Sequence, residues 1–198
     1  MPADIRAITR ADLIGDAEFR DQRKARRASL MPVKRLRRVA LGPYCTFYFE
    51  SFDTMLFQVQ EMLLVEKGGE AQIPDELAAY NPLIPKGQEL VATMMFELDD
   101  PVRREKFLSD LGGVEDHFYI TVAGSRSTAS SESDVERTRD DGKTSSVHFL
   151  RFAFTADQIA AFKDLSQQVV LGCDDPRYAH MTLLQADTRT ELARDFKS

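Results

Sequence analysis

Residues 37–67, RRVALGPYCTFYFESFDTMLFQVQEMLLVEK, hold the densest run of aromatic and aliphatic positions in the chain. Its periodicity divides it. Residues 37–41 and 44–50 flank a Gly42-Pro43 turn and read as two strands. Beyond them Phe52, Met55, Leu56, Val59, Met62 and Leu63 recur at helical spacing, with Ser51 placed as an N-cap and Asp53 in the first turn. Phe57 and Leu64 lie off that stripe, so the predicted helix 51–66 is buried on more than one side. Gly68-Gly69 stops it.

The same reading extends both ways. Thr9 caps a short helix with Asp12 at its third position, and a second helix over 16–29 is ended by Pro32. Pro74 opens a short helix that Asn81-Pro82 closes. In 89–98, Leu90, Ala92, Met94, Phe96 and Leu98 share one strand face. Asp99 or Asp100 then caps a helix that starts at Pro101 and runs to about residue 111. Strands are predicted at 117–124, 145–154, 168–173 and 179–186, with a helix capped by Thr155 and a C-terminal helix capped by Asp187. The order is β-α-β, a loop, β-α-β and a final strand. It predicts an α+β fold with a mixed or antiparallel sheet in a ferredoxin-like βαβ-βαβ arrangement.

Two segments stand outside this pattern. Residues 20–38 carry nine Lys/Arg and one acid, a net +8, while the remaining 17 basic and 31 acidic residues give −14. We therefore divide the chain into a helical basic N-terminal arm, 1–36, and a single α+β domain, 37–198. The arm either packs on its own acidic body or a second subunit, meets an acidic protein partner, or meets a phosphate backbone. Nucleic acid is the least favoured, because no Tyr or Trp is interleaved for base stacking. Residues 125–146 have one aliphatic side chain larger than Ala, Val135, and many Ser, Asp and Arg, so the segment is predicted to be a mobile polar loop.

Composition narrows the class. A chain of 198 residues is long enough for a sizeable core. No apolar run approaches the roughly 18 residues of a membrane span, and the N-terminus has no signal-peptide h-region, so a cytoplasmic protein is expected. Cys45 and Cys173 are expected to be buried, reduced thiols.

Candidate chemistry is sparse. There is no GxSxG and no phosphate loop, since both Gly-Gly pairs end helices. His117, His148 and His180 form no metal-ligand spacing. His148 shares a face with Leu150, Phe152 and Phe154, which fits a hydrogen-bonded core residue. His180 follows a turn-rich loop and is better placed for function. On helix 51–66, Thr54, Gln58 and Glu61 share a polar face, with Glu50 just ahead; this is a solvent edge, a network with an N-terminal arginine, or a ligand site. The ligand-binding candidates are thus Glu50, Glu61, Tyr80, Asn81 and His180, with Glu61 and His180 the weak metal candidates. Arg23, Lys24, Arg26 and Arg27 are the partner-binding candidates. No motif indicates a cofactor, no residue is assigned a catalytic role, and whether the protein is an enzyme stays open.

RRVALGP (37–43), the helix TMLFQVQEMLLVE (54–66), ELAAYNPLIPKG (76–87), VHFLRFAFT (147–155) and the D-P-x-Y-x-H segment (175–180) together resemble the bacterial family of unknown function DUF3501. YNPLIP (80–85) is the most specific piece. The resemblance covers about residues 5–186 and implies a cytoplasmic bacterial protein. It also implies association with rubrerythrin-like and iron–sulfur oxidoreductase proteins, and so an accessory role in redox or peroxide handling. The leading expectation is a non-catalytic, self-associating or partner-binding accessory protein. The alternatives are a metal- or small-ligand-binding enzyme built on Glu61 and His180, and nucleic-acid binding through residues 20–38.

Overall fold

The computed structural model describes residues 6–131 and 144–197. Among the described residues nine strands form two antiparallel sheets. The first runs β1 (Arg38–Leu41), β2 (Cys45–Phe49), β3 (Glu89–Phe96), β7 (Val147–Ala153) and β6 (Ser130–Ser131). The second runs β5 (Ser125–Thr128), β4 (Phe118–Val122), β8 (Val169–Cys173) and β9 (His180–Leu183). Antiparallel sheet and helices together bear out the α+β class. The ferredoxin-like arrangement is corrected: the described strands fall in two sheets, and β2 and β3, which flank a helix, pair directly and antiparallel, where a split βαβ unit would hold them parallel with a strand between. Element order alone does not set pairing, and the chain returns from that helix in the opposite sense.

The sheets face each other over one core. Leu90, Ala92, Met94 and Phe96 of β3 and Leu150 and Phe152 of β7 point inward, as their alternation predicts, and meet Phe118, Ile120, Val169 and Leu171 from the second sheet. Phe47 of β2 packs edge-on against Phe118 of β4, with centroids 5.3 Å apart. Tyr178 closes one seam. Its hydroxyl donates to the Leu41 carbonyl at 2.8 Å and accepts from the amides of Tyr44 and Cys45, fixing the β1–β2 turn to the second sheet. At the other seam Ser127 Oγ donates to the Ala153 carbonyl at 2.6 Å.

A helical layer covers the outer face of the first sheet. α1 (Asp16–Leu36) and α2 (Phe52–Glu66) pack on each other, and α3 (Ile73–Tyr80) flanks α2. α2 buries Phe52, Thr54, Met55, Val59, Gln60 and Leu63, more than any other helix, in keeping with apolar residues on more than one of its sides. Ser51 is its N-cap, accepting from the Thr54 amide. α4 (Pro101–Ser109), capped by Asp100, and α5 (Ala156–Lys163), capped by Thr155, also stand as expected.

Three expectations change. Pro32 lies inside α1, which runs on to Leu36. Proline removes one helical hydrogen bond, but anchors on both sides, Phe19 before it and Leu36 leading into β1, keep the helix continuous. Within the predicted loop 125–146, β5 and β6 are strands, because a polar edge strand is held by backbone pairing and needs little apolar burial, and Thr144 is buried against His148; residues 132–143 lie outside the described residues. Asp187 falls in the first turn of α6 (Ala186–Leu192), whose N-cap is Gln185.

Candidate functional site

α1 ends where β1 begins, and the residue at the junction, Arg37, is 2% exposed. Its guanidinium donates to the carbonyls of Phe49 (3.0 Å) and Glu50 (2.7 Å) at the end of β2. It pairs also with Glu191 at 3.3 Å and with Asp195, drawing the C-terminal segment onto the β2–α2 junction. Sequence reading placed Arg37 among nine undistinguished basic residues. Only the three-dimensional convergence singles it out.

Glu50 sits beside this cluster, 9% exposed. Thr54 donates to one of its carboxylate oxygens at 2.7 Å and Thr93 of β3 to the other at 2.8 Å. Among the described residues no cation pairs with it. The Arg37 guanidinium thus takes the buried carboxylates of Glu191 and Asp195 but meets Glu50 only at its main-chain carbonyl.

Glu50 faces a pocket of about 240 Å³. Tyr48 and Thr93, cross-strand neighbours on the outer face of the first sheet, contribute to its lining. Lys34 and Arg37 from α1 and its end and Thr54 of α2 also line it, and Met95 and the Tyr48 ring add apolar wall, while the Phe49 side chain turns to the interior against Phe47. Tyr48 is held by its hydroxyl, which donates to Glu97 at 2.7 Å. The pocket therefore joins one desolvated carboxylate, which its two hydroxyl donors orient and leave with free lone pairs, to an apolar wall and to two cations that do not pair with it, Lys34 and Arg37.

Burial raises the carboxyl pKa of Asp195 to about 6, against the opposing pull of Arg37. The folded carboxyl then keeps its proton to about pH 6, while the unfolded chain releases it near pH 4. Between these values the native state binds more protons, so this group's contribution to stability falls as pH rises. Denaturant titrations at pH 4 and pH 7 are expected to show the wild type losing up to about 3 kcal/mol relative to Asp195→Asn over that interval. Parallel pH curves would show that Asp195 does not titrate this way.

The other sequence candidates separate. Glu61 forms a two-pronged pair with Arg23 at 2.7 and 2.6 Å, the arginine network weighed for this helix face. Asn81 clamps the N-terminal segment, accepting from the Ile8 amide at 2.7 Å and donating to the Ile8 carbonyl at 3.0 Å. Tyr80 packs against the core between α2 and the first sheet. His180 is on β9, stacked on Tyr178 with centroids 4.4 Å apart and beneath Gly42, where any Cβ would strike its ring. Its Nδ1 is buried without a hydrogen-bond partner. Glu61 and His180 thus belong to different layers, the α1–α2 pair and the second sheet, and do not make one site. Among the described residues no three His, Cys, Asp or Glu side chains are grouped to hold a metal. His148, fully buried, contacts Thr144 Oγ1 at 3.0 Å and the Ser145 carbonyl at 2.9 Å through Nε2, the hydrogen-bonded core residue expected. Arg26 contacts Gln22, while Lys24 and Arg27 are exposed.

Both cysteines are free and buried. Burial pushes the Cys173 thiol up to about 11 and the Cys45 thiol higher still, so both stay protonated and are poor nucleophiles.

Residues 7–196 match the family model for the protein of unknown function DUF3501. The chain belongs to that family. The crystal structure of a novel protein of unknown function from Burkholderia pseudomallei K96243 is 32% identical with a TM-score of 0.89, over 96% of this chain and 100% of that one. None of the curated proteins matches the chain significantly. Among the described residues of this DUF3501 chain no helix is long and apolar enough to cross a membrane.

Proposed function

We propose that the protein is a non-catalytic binding protein whose ligand is a small primary amine, held as its ammonium by Glu50. The observation that carries this is the buried carboxylate without a cation at the edge of an apolar-walled pocket. A buried carboxylate is costly until it is paired. An ammonium completes the arrangement: it brings three donors, while the Glu50 oxygens each already accept one hydroxyl and retain acceptor capacity. Met95 and the Tyr48 ring suit an aliphatic chain. A binding role also accords with the thiols, which burial keeps protonated. The redox or peroxide-stress setting rests on the family association alone; within it, this chain binds and does not transfer electrons.

Isothermal titration calorimetry tests the reading. n-Butylammonium is expected to bind, with 1-butanol and butyrate giving no saturable heat, and Glu50→Gln is expected to weaken amine binding about tenfold or more. Equal affinity of the wild type and Glu50→Gln for the amine, or tighter binding of butyrate, would overturn it.

A further inference from the structure

The outward face of α1 carries charge that the fold does not use. The helix holds seven basic residues and three acids. Arg23 is taken by Glu61 and Arg26 by Gln22. Arg20, Lys24, Arg27, Met31 and Arg35 follow at i, i+4, i+7, i+11 and i+15, and so form one ridge opposite the buried Phe19. Lys34 flanks it. All six are exposed, and none of the five cations makes an ion pair among the described residues. Like charges one turn apart oppose helix formation, so the ridge does not stabilise the element that carries it. The acids of the body do not neutralise it either.

We propose that this ridge is a docking surface for an acidic segment of a protein partner, laid along α1 from Arg20 to Arg35. The ridge is about 22 Å long, the length of a helix of about 15 residues. Two observations favour protein over nucleic acid. Met31, 46% exposed, stands in the middle of the cations, where it suits an apolar side chain and has nothing to offer a phosphate. The whole chain is acidic, at net −6, so a long polyanion meets repulsion away from the ridge, whereas a short acidic segment meets only the ridge. This surface meets the Glu50 pocket only at Lys34, and none of Lys24, Arg27 and Arg35 lines that pocket.

The probe is a fluorescein-labelled peptide of about 15 residues, rich in Glu around a central Leu, read by anisotropy at low and at about 0.3 M salt. Expected are saturable binding that salt weakens, and about tenfold loss on Lys24→Glu/Arg27→Glu/Arg35→Glu. Charge reversal of Arg103 and Lys106 on α4 is expected to leave binding unchanged. Lys24→Gln/Arg27→Gln/Arg35→Gln, which keeps the helix free of new charges, is expected to lose affinity to a lesser degree and serves if the reversed variant does not fold. Binding that survives both triple variants overturns the proposal. So does tighter binding of an oligothymidylate of equal charge, which would make the ridge a nucleic-acid surface. So does a concentration-dependent dimer of the wild type that the triple variants abolish, which would make the occupant a second copy.

Discussion

Arg37→Met is expected to cost about 3–5 kcal/mol of folding stability at neutral pH, among the largest losses any single substitution in this chain should produce. Methionine fills the volume but supplies no charge. Asp195 is then left buried without its cation, Glu191 keeps only Arg194, and the carbonyls of Phe49 and Glu50 lose their donor. The loss should shrink as pH falls, because Asp195, whose pKa already stands near 6 with Arg37 present, takes up a proton more readily without it. Urea unfolding of the wild type and variant at pH 5 and pH 7 checks both parts. A loss below about 1 kcal/mol at pH 7 would mean that the guanidinium is replaceable and that water already reaches the cluster.

The second large effect concerns the interior. Phe47→Ala and Phe118→Ala are each expected to cost about 3–5 kcal/mol. The two rings belong to different sheets and meet edge-to-face, so a double-mutant cycle should return a coupling of about 0.5–1.5 kcal/mol. Strictly additive losses would indicate that the sheets do not share one core. Were the strands in a single ferredoxin-like sheet, no such contact would tie Phe47 to Phe118 across the interior.

These two experiments mark where the sequence was readable and where it was not. Local chemistry was legible: the Ser51, Asp100 and Thr155 caps, the alternation in β3, the burial of α2 and the core placement of His148 all follow from periods and cap residues. Pairing was not, since antiparallel closure of β2 on β3 depends on how α2 docks, which no local period encodes. The polar strand β5 was hidden because its partners are backbone groups. The site was half legible. Glu50 was marked by a carboxylate next to an apolar helix, and Thr54 by the polar face of that helix. Thr93 lay on the outer face of β3 with nothing to distinguish it. Arg37, Glu191 and Asp195 come together only through contacts more than 150 residues apart in sequence. Glu61 looked equally promising but is occupied by Arg23.

A crystal structure of the protein grown with n-butylammonium tests the central claim most directly. The ammonium nitrogen is expected about 2.7–2.9 Å from a Glu50 carboxylate oxygen, with the butyl chain against Met95 and the Tyr48 ring. An empty pocket at saturating amine, or an ammonium bound elsewhere with Glu50 contacting only Thr54 and Thr93, would contradict it.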